Sequence, residues 1–135
     1  MKKTLFLLML LFLGVTYASA EKQAEITFDK TTHNFGTFSE NSPKVKCVFT
    51  FTNTGDGPLV INQAVASCGC TIPDYTKEPI MPGKKGTIEV TYNGAGKYPG
   101  EFKKSISVRS NAKVELIRLY ITGDMTPKTT KTAKN

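Results

Sequence analysis

The sequence predicts an all-β domain, an immunoglobulin-like antiparallel β-sandwich of about seven strands, and three observations predict it. Apolar residues from Ile26 onward recur with a period of two rather than with helical spacing. Turn-forming clusters break that pattern at short intervals. No segment after residue 20 holds a helical pattern for more than about one turn. Strands whose faces alternate apolar and polar belong to antiparallel sheets with one wet side. About seven of them in about 100 residues make a sandwich, with an open barrel as the competing architecture.

The strands are expected near residues 25–29, 32–38, 45–53, 58–66, 86–92, 102–109 and 114–122. Val45, Cys47, Phe49 and Phe51 share one face, against Lys46, Thr50 and Thr52 on the other. Ile88, Val90 and Tyr92 alternate with Thr87, Glu89 and Thr91; Ile106 and Val108 alternate with Ser105, Ser107 and Arg109. Ile117, Leu119 and Ile121 close the series against Arg118, Tyr120 and Thr122. Between them lie Asn53-Thr54-Gly55-Asp56-Gly57-Pro58, Met81-Pro82-Gly83, Asn93-Gly94, Pro99-Gly100 and Ser110-Asn111. Such residues bend the chain and fit poorly inside strands, because proline lacks a donor and glycine favours conformations that strands do not use.

The ends have a different character. Lys2 and Lys3 precede an apolar run from Leu5 to Leu13, followed by Ala18-Ser19-Ala20. That order describes a secretory signal peptide over residues 1–20, cleaved after Ala20. The apolar run is short of the roughly 20 residues a lasting transmembrane helix needs, so no membrane span is expected after its removal. The expected organisation is therefore a signal peptide (1–20), a sandwich domain (21–124) and a flexible Thr/Lys tail (125–135). The expected location is periplasmic or secreted.

The formal net charge of +7 overstates the basicity of the folded part. Lys2 and Lys3 leave with the signal peptide, and Lys128, Lys131 and Lys134 fall in the tail, leaving about +2 with both signs mixed along the chain. No basic stripe interleaves with aromatic residues, and a nucleic-acid partner is not expected.

Three cysteines are an odd number for an exported chain. Cys47 shares its strand face with Phe49 and Phe51 and reads as a small core hydrophobe. Cys68 and Cys70 stand in Ser67-Cys68-Gly69-Cys70-Thr71, directly after a strand. The pair is open to a tight disulfide, to redox exchange, to copper(I) binding by two thiolates, or to packing under a loop. Zinc would need two further ligands, and the single histidine, His33, is distant in sequence.

Catalytic constellations are otherwise missing. His33 sits in a strand-like run, Thr31-Thr32-His33-Asn34-Phe35, with no serine elbow beside it, and reads as a packed or edge residue rather than a base. The acids are scattered singly along the chain, and the glycines lie between strands rather than ahead of a helix.

Several motifs carry a resemblance. His33-Asn34-Phe35-Gly36, Phe49-Thr50-Phe51-Thr52-Asn53-Thr54-Gly55, Pro58-Leu59-Val60-Ile61, Ser67-Cys68-Gly69-Cys70-Thr71, Pro82-Gly83 and Ser110-Asn111 occur in that order, before a last strand ending at Gly123. In them the chain resembles the exported bacterial family called domain of unknown function 1573, over about residues 26–124. The resemblance implies an immunoglobulin-like sandwich related to Hydin and major-sperm-protein modules, which bind and scaffold rather than catalyse. It also implies that Cys68-Gly69-Cys70 is the family hallmark, to which Cys47 does not belong. It carries no established activity.

Two functions follow as expectations. The first is a non-catalytic interaction or scaffolding module of the cell envelope, whose partner is another envelope protein or a glycan. The second is a thiol-based factor in which Cys68 and Cys70 exchange disulfides or hold copper(I).

Overall fold

A computed structural model describes residues 21–128. The signal peptide read over residues 1–20, and residues 129–135 of the tail, lie outside the described residues. Within them the chain forms β1 (Ile26–Phe28), β2 (Thr32–Ser39), β3 (Lys44–Asn53), β4 (Ile61–Ala66), β5 (Thr71–Tyr75), β6 (Lys85–Asn93), β7 (Gly100–Ser110) and β8 (Leu116–Thr126). They make two four-stranded sheets, ordered β1-β3-β6-β5 and β2-β8-β7-β4. This is the immunoglobulin-like sandwich that the alternating pattern predicts.

Three details differ from the sequence-based expectation. An eighth strand, β5, occupies a stretch expected to be loop. The strand expected over 58–66 begins in earnest at Ile61, because Leu59 makes only an isolated bridge to Ile80. The last strand runs to Thr126, two residues past the boundary at 124, where Phe38 and Ser39 pair with Met125 and Thr126. That last pairing is parallel: after β1 the chain crosses to the other sheet at Asp29-Lys30-Thr31, and β2 lies alongside β8 in the same direction.

The inner faces close on Phe49, Phe51, Ile88, Val90, Ile106, Val108, Leu119 and Ile121, all buried. Each such side chain is worth about 2 kcal/mol of transfer free energy, so these positions supply the main drive to fold. Cys47 lies among them, as expected for a small core hydrophobe. A second aromatic group caps one end: the Tyr92 and Phe102 rings stack at 4.1 Å, and Phe38 meets both edge-on.

Apolar packing alone does not fix how the loops close over the core. Asn53, the last residue of β3, is fully buried and does so. Its side-chain amide donates to the carbonyls of Gly57 and Ile80, each at 2.8 Å. Its Oδ1 accepts the N–H of Gly55 at 3.0 Å and of Glu25 at 3.4 Å. The segment before β1 is thereby tied to the 54–58 turn, where Asp56 N–H donates to Gln23 O and Thr54 N–H to Glu25 O. Gly55 is obligatory for this approach, since a Cβ there would overlap the backbone of Gln23, Ala24 and Glu25.

Asn53→Ala strips all four of these bonds and leaves buried groups without partners. The variant should lose about 3 kcal/mol of unfolding free energy, read from the denaturant midpoint at unchanged slope. A loss below about 1 kcal/mol would show that the amide is dispensable.

Candidate functional site

The chain switches sheets between β4 and β5, and the Cys-Gly-Cys motif is the switch. β4 is an edge strand of one sheet and β5 an edge strand of the other, and the two edges lie in contact on the same side of the sandwich. Ser67 extends β4 by donating its N–H to Ser105 O at 2.9 Å, while its Oγ accepts the Ser105 N–H at 3.1 Å. Cys70 enters the second sheet, its carbonyl accepting the Asn93 N–H at 2.8 Å. The crossing is done by Cys68 and Gly69, and a disulfide joins Cys68 to Cys70, whose Cα atoms are 5.3 Å apart.

The two sulfurs have unequal surroundings. Cys70 is 7% exposed and belongs to the core, whereas Cys68 is only partly buried against it. Cys68 Sγ receives the Cys70 N–H at 3.2 Å. The Thr71 hydroxyl, buried at the start of β5, lies 3.7 Å from Cys70 Sγ and 3.9 Å from Cys68 Sγ. The Thr71 N–H donates to Cys68 O at 3.2 Å and tightens the turn. Gly69 stands exposed at its tip, with open space where a Cβ would be.

The two neighbouring edges are also unequal. The bonds from Asn93 N to Cys70 O and from Thr76 N to Thr87 O set the β5–β6 ladder. By the alternation of antiparallel pairs, Ile72 and Asp74 turn their backbone groups toward β6, and Thr71, Pro73 and Tyr75 turn theirs outward. None of these three presents a free N–H. Thr71 donates to Cys68 O, Pro73 has no N–H, and Tyr75 donates to Asp74 Oδ1 at 2.9 Å. The β4–β7 ladder, set by Ser67 N to Ser105 O, directs the backbone groups of Ala64 and Ala66 away from β7, toward the open edge.

Between the edges, Tyr75 donates its hydroxyl to Asn62 O at 3.2 Å and so bridges the two strands. Lys77 Nζ sits 3.3 Å from the centroid of the Tyr75 ring. Ala64, Ala66, Cys68 and Tyr75 are packed partly buried against the core here. Val65 and Ile72, on the outward faces of β4 and β5, are 48% and 62% exposed.

The structure thus brings Ser67, Cys68, Gly69, Cys70 and Thr71 together at one crossover, and it keeps Cys47 and His33 apart from it. Burial pushes the Cys47 thiol up to about 11, with the Lys30 charge pulling weakly the other way. His33 lies in β2, with its Nδ1 3.0 Å from Lys30 Nζ and its ring against Phe35. Burial first, then the Lys30 charge, lower its pKa. The acids include two cross-strand pairs that the sequence did not reveal: Asp74 and Glu89, each beside a lysine (Lys77 and Lys46), and Glu101 and Asp124, beside a shallow groove over the β2 bulge. The members of each pair sit side by side on one sheet rather than across a cleft.

Pro73, Asp74 and Tyr75 are the site residues missed from sequence. A proline in a short run with alternating neighbours is the mark of an edge strand, and that was the available signal.

Comparisons with known proteins agree with this architecture. A family described as "Protein of unknown function (DUF1573)" matches residues 26–125. No curated protein matches the chain. A solved protein of unknown function from Porphyromonas gingivalis W83 superposes with a TM-score of 0.68 at 15% identity, covering 81% of this chain and 51% of that one. The ASH/PapD-like domain 7 of human CEP192 superposes with a TM-score of 0.62 at 8% identity, over 85% of this chain and 94% of that domain. The periplasmic chaperone SfaE gives 0.52 at 14% identity, over 77% of this chain and 58% of the chaperone. The chain therefore spans little more than half of the first and third of these, and parts of a larger secreted serine protease and of a glycoside hydrolase share the fold as well. At such identities the likeness is one of fold.

Native protein at pH 8 should show no thiol reactive to iodoacetamide within the time that labels a free thiol fully. Unfolding without reductant should expose one, Cys47, with its raised pKa accounting for the silence. Labelling of Cys68 or Cys70 before reduction would contradict the bridge.

Proposed function

The chain belongs to the DUF1573 family, and on that premise we propose that it is an exported, non-catalytic interaction module that takes up an extended segment of another envelope protein along β4. The observation that carries this reading is the contrast between the two neighbouring edges. β5 has every outward N–H removed or satisfied, in the way proteins protect an edge from unwanted pairing. β4, beside it, keeps the backbone groups of Ala64 and Ala66 directed outward. Their small side chains leave room for a partner's side chains to reach toward Cys68 and the core margin.

Magnitudes favour a segment with apolar side chains. Pairing with Ala64 and Ala66 adds about four backbone hydrogen bonds, each worth about 1 kcal/mol net. That alone corresponds to roughly millimolar affinity at best. Micromolar binding needs about 4 kcal/mol more, which side chains alternating over Ala64 and Ala66 would supply by burying about 160 Å² of apolar surface. A protein strand meets both requirements at the spacing of β4, whereas a glycan's hydroxyls hydrogen-bond without side chains that alternate at that spacing. The signal-peptide pattern read in residues 1–20 and the fold shared with a periplasmic chaperone support an envelope location.

The second class of reading, a thiol-based factor, is favoured by the unequal exposure of Cys68 and Cys70. Copper(I) on the reduced pair would draw on the same two sulfurs.

Proline at position 64 removes only an outward donor and leaves the β7 ladder intact. Wild type and Ala64→Pro, each immobilised and exposed to the host's envelope extract, should differ. Proteins retained by the wild type should be lost from the variant, while its unfolding free energy drops by no more than about 1.5 kcal/mol. Retention of the same proteins by a folded variant would move binding away from β4.

A further inference from the structure

We propose that the Cys68–Cys70 pair is a site of thiol–disulfide exchange with an external dithiol, with Cys68 the sulfur that exchanges and Cys70 the one that resolves. This inference does not rest on strand uptake by β4, and either reading can fail alone.

Two features assign the roles, and a third sets the bond within reach of a partner. Access comes first: Cys70 is 7% exposed and enclosed, whereas Cys68 is only partly buried, at a tip where Gly69 places no side chain in the way. An incoming thiolate must reach the sulfur it attacks, so it reaches Cys68. Stabilisation comes second. Cys68 Sγ already accepts the Cys70 N–H at 3.2 Å, a backbone donor that would hold a thiolate there, and it shares the one Thr71 hydroxyl, 3.9 Å away, with Cys70. Cys70 Sγ has the Thr71 hydroxyl, at 3.7 Å. Placement comes third. The bond joins two edge strands at a crossover that carries the exposed Val65 and Ile72 on either side, which a partner chain can contact while its thiol approaches.

From the oxidised state present in the structure, exchange proceeds in two steps that conserve electrons. A thiolate of the external dithiol attacks Cys68 Sγ; the new sulfur–sulfur bond forms as the Cys68–Cys70 bond breaks, and the electron pair leaves on Cys70, which takes up a proton. The second thiolate of the dithiol then attacks its own partner sulfur in the mixed disulfide. It releases Cys68 as a thiolate held by the Cys70 N–H, and the dithiol departs as a disulfide. Two electrons have passed from the dithiol to the pair. The reverse direction reduces a partner's disulfide by the same route, with Cys68 as nucleophile and Cys70 closing the ring.

The test has two arms. In the first, Cys70→Ser and Cys68→Ser each leave one thiol of the pair, and the reaction of each folded variant with oxidised glutathione is followed by intact mass. Cys68 should form its mixed disulfide at least about tenfold faster than Cys70. Equal or reversed rates overturn the assignment. In the second, wild type is treated with dithiothreitol under native conditions and quenched by alkylation. Two thiols should be labelled while Cys47 stays protected and the circular dichroism spectrum is unchanged. If the pair is reduced only when the domain unfolds, the bond is structural and the proposal fails, whatever the variants do.

Discussion

The buried amide of Asn53 is the interaction on which the remaining architecture depends. A sandwich core made of Phe49, Ile88, Leu119 and their neighbours is attractive in any of several arrangements, because apolar contact is non-directional. An amide enclosed without water tolerates one arrangement, the one in which both its donors and its acceptor are met. Its two donors take the Gly57 and Ile80 carbonyls, and its acceptor takes Gly55 and Glu25. Those partners belong to the segment before β1, the turn after β3 and the connection before β6. One side chain therefore sets the mutual position of three stretches that have little regular structure of their own. Because Asn53 terminates a central strand, this constraint passes directly into the sheet that carries β6, and through β6 to β5.

β5 is where that constraint meets chemistry. It has one neighbour, β6, and is held from the other end by the crossover that begins at Ser67. A strand of five residues that turns only Ile72 and Asp74 toward β6 contributes few ladder bonds, so its position relies on what lies at its ends. At one end Tyr75 reaches back to Asn62 O, and at the other Cys70 is joined to Cys68. Both ties run from β5 to the β4 side, across the gap between the sheets. The consequence is that the β4 edge, the protected β5 edge and the disulfide form one continuous margin of the sandwich.

How much of this could be read beforehand follows from what a period of two reports. It reports which residues share a face, and so the cores of β3, β6, β7 and β8 were legible from Phe49, Ile88, Ile106 and Leu119. It says nothing about which strand lies next to which, or in what direction. The parallel run of β2 along β8 is invisible in Thr32 to Ser39 for that reason, and Gly36, at φ 68° in the bulge, is a turn signal that the strand absorbs. β5 escaped because its pattern is inverted. Ile72 points to solvent and Thr71 into the core, and Pro73 argues against a strand unless the strand is an edge. The motif Ser67 to Thr71 was legible as a cluster, and Cys47 as a core residue, since chemistry and burial are local properties. The contrast between the Cys68 and Cys70 environments was not, because it arises from a change of sheet between them.

That change of sheet also bears on how binding and exchange relate. A strand docked on β4 would run past Ala66 and end beside Cys68, since Ser67 is where β4 leaves its sheet. The inward side chains of such a strand would cover Ala64 and Ala66 and approach the sulfur that is otherwise partly open. A short partner segment would leave Cys68 accessible, and one extending beyond Ser67 would shield it from a second thiol. The same margin would then hold a partner and limit exchange at the disulfide according to how far the bound segment reaches. Steric cover alone produces that coupling, because attack on a disulfide needs an unobstructed approach to the sulfur. No movement of β4 or β5 is required, and the bridge from Tyr75 to Asn62 would remain in place throughout.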